Sequence, residues 1–227
     1  MDLDGTLLDI ADRPEDVIAD EATCRLLARL AARLSGRLAI VSGRSLDQID
    51  SILGDIAQAL AVSGSHGCEH RWNGVLARPN RPEVLDTATE RLRPLADSRP
   101  GLLLEEKSYG VALHYRLDAT AAEQVLAATA ELAGELGLEL QPGKMMVELR
   151  VSGGDKGRAV HRLMARSPMA GTMPVFIGDD VTDEAGFAAA RELGGHAILI
   201  GPARASAADY RLSSPQVLRG WLAEGWQ

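Results

Sequence analysis

Two short acidic stretches indicate the fold: Asp2-Leu3-Asp4-Gly5-Thr6 at the start of the chain and Gly178-Asp179-Asp180-Val181-Thr182-Asp183-Glu184 near its end. The second stretch follows the apolar run Val175-Phe176-Ile177, which is typical of a buried strand. Carboxylates clustered at strand ends repel one another unless a cation neutralises them, and a hard divalent ion with oxygen ligands is the natural partner. The two stretches therefore predict a metal site at the end of a sheet.

A calcium loop and a simple helix cap are the alternatives to such a site. An EF-hand calcium loop needs glycine at its sixth position. Gly5 is fourth counting from Asp2, and Glu184 occupies the sixth place counting from Asp179, so neither stretch fits. Asp183 is also suited to be the N-cap of the helix that follows, and this role is compatible with a place in the site.

Around the acidic stretches, apolar strand-like runs alternate with amphipathic helical runs. Leucines recur at helical spacing between residues 20 and 35, and a short apolar run at 38–41 predicts the next strand. Further helices are predicted at 45–53 and 183–193, strands at 59–62, 174–177 and 197–200, and a hairpin at 68–78 around Asn73-Gly74. This alternation predicts an α/β fold, a parallel sheet with helices on both faces.

The middle of the chain follows a different pattern. Helices are predicted at 82–96 and 119–136, and strands at 102–107, 109–116, 138–140 and 144–151. The order helix-strand-strand-helix-strand-strand is typical of a small α+β domain. We therefore predict a core in two parts, residues 1–80 and 151–227, interrupted by an inserted domain at 81–150.

Two segments of the core carry groups that suit a phosphate. Ser42 directly follows the strand at 38–41, so its hydroxyl and the backbone N–H groups of the loop after it are well placed for phosphate oxygens. Lys156 begins another helix and is one of only three lysines among 24 Lys and Arg residues. Neither a Walker A loop nor a G-x-G-x-x-G fingerprint is present, which argues against a nucleotide kinase and a dinucleotide enzyme.

Two further patterns bear on which ligands the chain binds, a candidate zinc motif and a charged strand face. His66-Gly67-Cys68-Glu69-His70 matches the zinc pattern H-x-x-E-H, but a zinc site of that kind needs a helix, and the flanking Ser-Gly and Asn-Gly residues disfavour one. In the insert, strand periodicity places Met145, Val147 and Leu149 on one face and the mainly charged set Lys144, Met146, Glu148 and Arg150 on the other. Glu105 and Lys107 also share a face. A solvated sheet face explains the charged set, and so does a sugar-binding surface.

The composition limits the partners. The 227 residues carry a net charge of −8, which argues against nucleic-acid binding, and no apolar run is long enough to span a bilayer. Two cysteines do not suggest a disulfide framework. We expect a cytoplasmic protein that binds a small molecule; the sequence leaves the oligomeric state open, with a monomer favoured.

Four features, taken in order, resemble the haloacid dehalogenase (HAD) superfamily of phosphatases. They are Asp2-Leu3-Asp4-Gly5-Thr6, Ser42 after a strand, Lys156 before a helix and Gly178-Asp179-Asp180. The resemblance implies a HAD-like Rossmannoid core with an inserted α+β cap domain. It also implies site roles. Asp2 is the nucleophile and Asp4 the general acid and base; Ser42, Gly43 and Lys156 bind phosphate; Asp2, the backbone carbonyl of Asp4 and Asp179 ligate Mg²⁺, supported by Asp180 and Asp183.

A closer resemblance is to the trehalose-6-phosphate phosphatases. It rests on Ser42-Gly43-Arg44, Gly64-Ser65-His66-Gly67-Cys68-Glu69, Glu105-x-Lys107 leading to His114-Tyr115-Arg116, Gly143-Lys144 with Glu148, Asp155-Lys156-Gly157 and the acidic stretch after residue 177. The implied reaction is Mg²⁺-dependent hydrolysis of trehalose 6-phosphate through an aspartyl phosphate, under a mobile cap. The implied substrate contacts are Arg44, His66, Glu105, Lys107, Arg116, Lys144 and Glu148. A phosphatase for another sugar phosphate and a non-catalytic sugar-phosphate-binding regulatory protein are the alternatives.

The chain departs from the superfamily pattern at its start. There the nucleophile follows a buried central strand, but here only Met1 precedes Asp2, and a strand usually takes about five or six residues. We expect the first core strand to be missing from this chain, with no full strand at residues 1–3 and a gap or exposed strand edges at the sheet centre. We also expect the natural protein to carry an apolar run upstream.

Overall fold

A computed structural model describes residues 1–11, 13–152 and 154–225. The chain divides into two compact units, Met1–Arg78 with Gly154–Gln227, and Pro79–Gly153. The insert predicted at 81–150 lies within the second of these units.

The helices and strands alternate along the chain. In order they are α1 (Glu21–Leu34), β1 (Ala39–Val41), α2 (Leu46–Leu53), β2 (Ala61–Gly64), β3 (Glu69–Trp72), β4 (Val75–Ala77), α3 (Glu83–Asp97), β5 (Leu103–Lys107), β6 (Gly110–His114), α4 (Ala122–Leu136), β7 (Glu139–Gly143), β8 (Met146–Arg150), α5 (Lys156–Met164), β9 (Val175–Gly178), α6 (Glu184–Glu192), β10 (His196–Ile200), β11 (Tyr210–Leu212) and α7 (Pro215–Glu224). Each predicted helix and strand is present within a few residues. Strand β11 and helix α7 were not predicted.

The parallel strands of the first unit bring the acidic stretches to one edge. β1 pairs in parallel with β2, and β10 pairs in parallel with both β9 and β11. The Val41 N–H donates to the Met1 carbonyl at 2.9 Å, and the Asp2 N–H donates to the Ile177 carbonyl at 2.8 Å. Residues 1 and 2 therefore lie between β1 and β9, and the acidic stretches and Ser42 come together at the carboxyl ends of neighbouring strands.

Residues 1–3 are not assigned to a strand, and β1 and β9 belong to two different sheets, ordered β1-β2-β3-β4 and β11-β10-β9. Backbone hydrogen bonds from residues 1 and 2 reach both sheets. An upstream strand stays a prediction. Among the described residues, no helix combines the length and apolarity needed to cross a bilayer.

Two apolar layers cover the strands of the first unit. One buries Leu27 of α1 with Ile40 of β1, and the other buries Phe187 of α6 with Phe176 of β9. The two phenylalanine rings meet edge to face, with centroids 5.9 Å apart, a favoured aromatic geometry. This second layer fixes α6, which begins at Glu184, the last residue of the acidic stretch.

The second unit is one antiparallel sheet, β5-β6-β8-β7, with helices on one face. Val111, Leu113, Val147 and Leu149 alternate onto the face covered by α3 and α4. The pairing Glu105–Ala112–Glu148–Gln141 runs across all four strands on the opposite face. The predicted ends of two strands were wrong: Lys144 and Met145 form the turn before β8, with Met145 at φ 61°, and Arg116 lies in the turn after β6.

We predict that Phe187→Ala lowers the free energy of unfolding by about 3–5 kcal/mol, because it removes a fully buried ring and leaves a cavity. Urea denaturation followed by circular dichroism measures this change. Val181→Ala, at a side chain that is 66% exposed, is the control, and its effect should stay within about 0.5 kcal/mol. Equal losses for the two variants would contradict the packing described for α6.

Candidate active site

A buried ammonium group lies at the centre of the acidic cluster. Lys156 Nζ is 2.8 Å from Asp2 Oδ1 and 2.7 Å from Asp183 Oδ1. Lys156 is 3% exposed, Asp2 is 4% exposed and Asp183 is fully buried. Lys156 is the first residue of α5, whose N-cap is Asp155. The start of one helix therefore supplies a charge that joins two acidic stretches distant in sequence.

Asp183 is held by several donors. Its Oδ2 accepts from the backbone N–H groups of Asp179 and Asp180, each at 3.0 Å, while its Oδ1 faces Lys156. A Cβ at Gly178 would come within 2.3 Å of the Asp183 Cγ, so only glycine leaves room for this carboxylate. Because its oxygens already accept these bonds, Asp183 is suited to shape the loop. Asp183 occupies the predicted N-cap position of α6 but makes no side-chain capping bond there. Asp180 is the N-cap of the 3-10 turn at 181–183, where its carboxylate accepts from the Val181 N–H.

Three carboxylates converge on one point. Single oxygens of Asp2, Asp179 and Asp183 lie within 4.8 Å of one another. The Thr6 hydroxyl donates to Asp179 Oδ1 at 3.1 Å. Gly5 has φ 79°, and a Cβ there would lie 2.2 Å from Asp179 Oδ2. The first acidic stretch thus turns sharply against the second, in a way that requires glycine.

The electrostatics of this cluster call for a cation. Burial, assisted by the neighbouring Asp183 and Asp179 and opposed by Lys156, raises the pKa of Asp2 to about 8. Burial alone would lower the pKa of Lys156, but Asp2 and Asp183 outweigh it and raise that pKa, so Lys156 stays charged. The cluster holds one ammonium and three carboxylates, so negative charge is left uncompensated even when Asp2 is protonated. Carboxylate oxygens at this spacing fit a hard divalent ion, which would also favour the ionised form of Asp2.

Asp4 belongs to a second ion pair beside this cluster. Its two oxygens accept from Arg44 Nε at 2.8 Å and from a terminal Arg44 nitrogen at 2.7 Å. The Asp4 side chain is 29% exposed and that of Arg44 is 13% exposed, so solvent still reaches the carboxylate. A carboxyl at this position is suited to exchange protons with a bound substrate. Both residues were predicted to belong to the site, but their contact was not predicted.

The loop after β1 and the loop after β2 form one layer. Ser42 is 1% exposed, and its Oγ accepts from the Arg44 N–H at 3.2 Å. The His66 N–H donates to the Ser42 carbonyl at 2.9 Å, and a Cβ at Gly43 would lie 2.5 Å from His66 Nε2. The imidazole therefore packs directly on the candidate phosphate-binding loop.

The zinc pattern at 66–70 does not form a zinc site. His66 belongs to a short 3-10 turn and His70 to strand β3, so the helix that H-x-x-E-H requires is absent from this fully described segment. Glu69 is instead fully buried, accepting from the Ser65 hydroxyl and the Leu46 N–H. The motifs in the sequence gave no role to Glu69 or to the Thr6 hydroxyl.

The second unit carries its own polar cluster on the face away from its helices. Lys107 Nζ lies 2.6 Å from Glu148 Oε2, and Glu148 is only 5% exposed. His114 Nε2 lies 2.9 Å from Glu105 Oε2. A Cβ at Gly110 would come within 2.5 Å of Glu148 Oε1, so a small residue in the middle strand makes room for the carboxylate.

The two turns beside this sheet also meet. A terminal nitrogen of Arg116 donates to the Lys144 carbonyl at 3.4 Å. The five substrate-contact residues predicted in the insert therefore divide into a central ion pair, Lys107 with Glu148, and flanking groups, which are Glu105, Arg116 and Lys144.

Comparisons with known proteins find similar sequences and similar structures along the whole chain. A family model described as trehalose-phosphatase matches residues 1–216. The trehalose-6-phosphate phosphatase of Escherichia coli K12 is 36% identical over 97% of this chain and 83% of its own length. The crystal structure of a trehalose-6-phosphate phosphatase related protein covers 100% of this chain and 95% of its own, with a TM-score of 0.85 and 29% identity. A haloacid dehalogenase-like hydrolase from Bacteroides thetaiotaomicron covers 98% of this chain and 97% of its own, with a TM-score of 0.72 and 16% identity. This last similarity shows the fold alone.

We predict that Mg²⁺, used as the probe cation, binds the metal-free protein with proton release. Because the pKa of Asp2 is raised to about 8, the cation must displace a proton at neutral pH. Its apparent affinity should therefore rise between about pH 6 and about pH 8 and level off above. Isothermal titration calorimetry in buffers of different ionisation enthalpy measures the proton count. Asp179→Asn is the matched variant and should weaken Mg²⁺ binding. Binding without proton release in the wild type would contradict the assignment of a protonated Asp2 as a ligand of the cation.

Proposed function

The chain belongs to the trehalose-phosphatase family and has a haloacid dehalogenase-like fold, and from this we propose that it hydrolyses trehalose 6-phosphate to trehalose and inorganic phosphate. The observation that carries the proposal is the cluster of Asp2, Lys156 and Asp183, all buried, with the partly exposed Asp179. Its carboxylates and single ammonium suit nucleophilic attack on a phosphate monoester. Family membership also favours catalysis over the alternative of a non-catalytic binder.

Asp2 is the proposed nucleophile. Its carboxylate oxygen attacks phosphorus, the bond from phosphorus to the sugar oxygen breaks, and an aspartyl phosphate forms. Lys156, 2.8 Å from Asp2 Oδ1, orients the nucleophile and screens the charge of the incoming phosphate. Ser42 and the Gly43 N–H are proposed to hold the phosphoryl oxygens.

Asp4 is the proposed general acid and base. It gives a proton to the departing sugar oxygen, and then takes one from the water that attacks the aspartyl phosphate. This role requires the Asp4 carboxyl to leave its two hydrogen bonds with Arg44. The Arg44 guanidinium is then available to the substrate. The water oxygen forms a bond to phosphorus, the bond from phosphorus to the Asp2 oxygen breaks, and inorganic phosphate and the free Asp2 carboxylate result.

Mg²⁺ is the proposed cation, held by Asp2, the backbone carbonyl of Asp4 and Asp179. When bound, it lowers the electrostatic cost of bringing the Asp2 carboxylate towards an anionic phosphate. Asp183 and Asp180 keep the loop after β9 in place: Asp183 accepts the N–H groups of Asp179 and Asp180, and Asp180 accepts that of Val181.

Sugar recognition is proposed for the polar sheet face of the second unit. Arg44 and His66 are separate proposals for substrate contacts within the first unit. The face presents carboxylates and an ammonium that suit sugar hydroxyls, and the adjoining turns extend this set; its members are Glu105, Lys107, Glu148, Arg116 and Lys144. Specificity for trehalose rests on the relatives' activity. The monomeric state and the cytoplasmic location stay predictions.

Replacing the nucleophile tests the chemistry. Asp2→Asn should lower phosphate release from trehalose 6-phosphate by at least about a thousandfold, because the amide cannot form the aspartyl phosphate. The control is Asp9→Asn, at a side chain that is 70% exposed and paired with Arg219. Near-normal turnover in Asp2→Asn, with phosphate release still dependent on the protein, would overturn the mechanism.

A pair of variants on one sheet tests sugar recognition. Glu148→Gln should lower kcat/KM for trehalose 6-phosphate by about tenfold or more, because it removes a charged acceptor. Its effect on a small aryl phosphate ester should be slight. Glu106→Gln, on the helix side of β5 in the same sheet and paired with Arg93, is the control. Equal losses on both substrates in Glu148→Gln would indicate a structural role in the sheet instead.

A further inference from the structure

Two consecutive residues adopt a left-handed backbone beside the candidate phosphate-binding loop, residues 42–45 between β1 and α2 (the phosphate loop). Ser65 has φ 49° and His66 has φ 53°, although neither is glycine. Left-handed backbone is unfavourable for residues that carry a Cβ, and such residues persist only where surrounding contacts hold them. The Ser65–His66 turn is therefore a strained feature that needs a support.

The strained turn reaches the phosphate loop at three points. The Ser65 N–H donates to the Arg44 carbonyl at 2.7 Å, and the His66 N–H donates to the Ser42 carbonyl at 2.9 Å. The His66 ring occupies the space beside Gly43, where a Cβ would lie 2.5 Å from Nε2. A turn that relaxed to ordinary dihedral angles would redirect both N–H groups and withdraw the ring.

Glu69 is the group that holds this turn. It is fully buried, and its Oε1 accepts from the Ser65 hydroxyl at 2.7 Å and from the Leu46 N–H at 3.1 Å. Leu46 is the first residue of α2, the helix that follows the phosphate loop. One carboxylate oxygen thus bonds to the turn on one side and to the end of the phosphate loop on the other.

We propose that Glu69 is a positioning residue for phosphate binding, acting through the left-handed Ser65–His66 turn. Its Oε1 fixes the turn, the turn fixes the Ser42 carbonyl and covers Gly43, and the loop is thereby preorganised for the phosphoryl oxygens. This inference rests on the proposed function, which places phosphate at Ser42 and Gly43.

A different role for Glu69 is an ion pair that only stabilises the fold. Its Oε2 lies 2.9 Å from Arg78 Nε, and Arg78 also pairs with Asp47. If that were its only role, the effect of a substitution would follow from the lost charge of Glu69. The proposed role needs only the Oε1 acceptor. Glu69→Gln separates the two, because an amide keeps an acceptor and removes the charge.

The first test measures binding of inorganic phosphate in the presence of Mg²⁺ by calorimetry, on variants shown to be folded by circular dichroism. Glu69→Ala should weaken binding by about tenfold, the loss expected for one buried acceptor with charged character. Glu69→Gln should recover most of that loss. A Glu69→Ala protein that binds phosphate as the wild type does, or a Glu69→Gln protein as weak as Glu69→Ala, would overturn the proposal.

The second test is a rescue. Ser65→Gly alone should weaken phosphate binding, because it removes a bond to Glu69. In the Glu69→Ala background the same change should strengthen binding, because glycine adopts positive φ without a Cβ penalty. Such a reversal of sign is specific to a turn held by Glu69. If the two losses simply add, Glu69 does not act through the turn.

Hydrogen exchange at the His66 amide gives a readout independent of phosphate. It should speed up in Glu69→Ala and slow again when Ser65→Gly is added. A wild-type protein that released no phosphate from trehalose 6-phosphate would contradict the proposed function, and the exchange rates would still decide whether Glu69 holds the turn. Unchanged exchange in Glu69→Ala would overturn that part of the inference.

Discussion

The buried contact of Lys156 with Asp2 and Asp183 organises the whole site. An ammonium and two carboxylates that are nearly inaccessible to water are costly unless they satisfy one another. The contact brings together the chain start, the start of α5 and the stretch after β9. Because it still leaves negative charge uncompensated, the same arrangement that joins these segments also prepares them for a cation.

The second constraint is the close approach of side chains to the backbone, which requires glycine at particular positions. Gly5 and Gly178 each face a carboxylate at a distance that excludes a Cβ, and Gly43 does the same for an imidazole. These positions let acidic and phosphate-binding loops pack against one another at the ends of adjacent strands. Parallel strands present their carboxyl ends at one edge, so groups far apart in the chain meet there without long loops.

The two units divide the proposed work by their architecture. The parallel strands of the first unit supply loops with carboxylates and N–H groups, which suit phosphate chemistry. The antiparallel sheet of the second unit is covered by helices on one face only, so its other face is available for the Lys107–Glu148 pair and its neighbours. A small residue, Gly110, leaves space for Glu148 in the middle of that face.

The alternation of helices and strands, the acidic stretches and the candidates Ser42 and Lys156 could all be predicted from the sequence, because periodicity and strand-end motifs are local properties. Strand β11 was missed because its three residues carry little periodic signal. Helix α7 was missed although Ser214-Pro215 precedes apolar residues at helical spacing, and β8 was extended into the turn at Met145 because the alternating pattern continues through it. The contact of Arg44 with Asp4 and the support that Glu69 gives to Ser65 became visible only in the folded chain. Burial and pairing depend on distances between segments, and packing sets those distances independently of the spacing along the sequence.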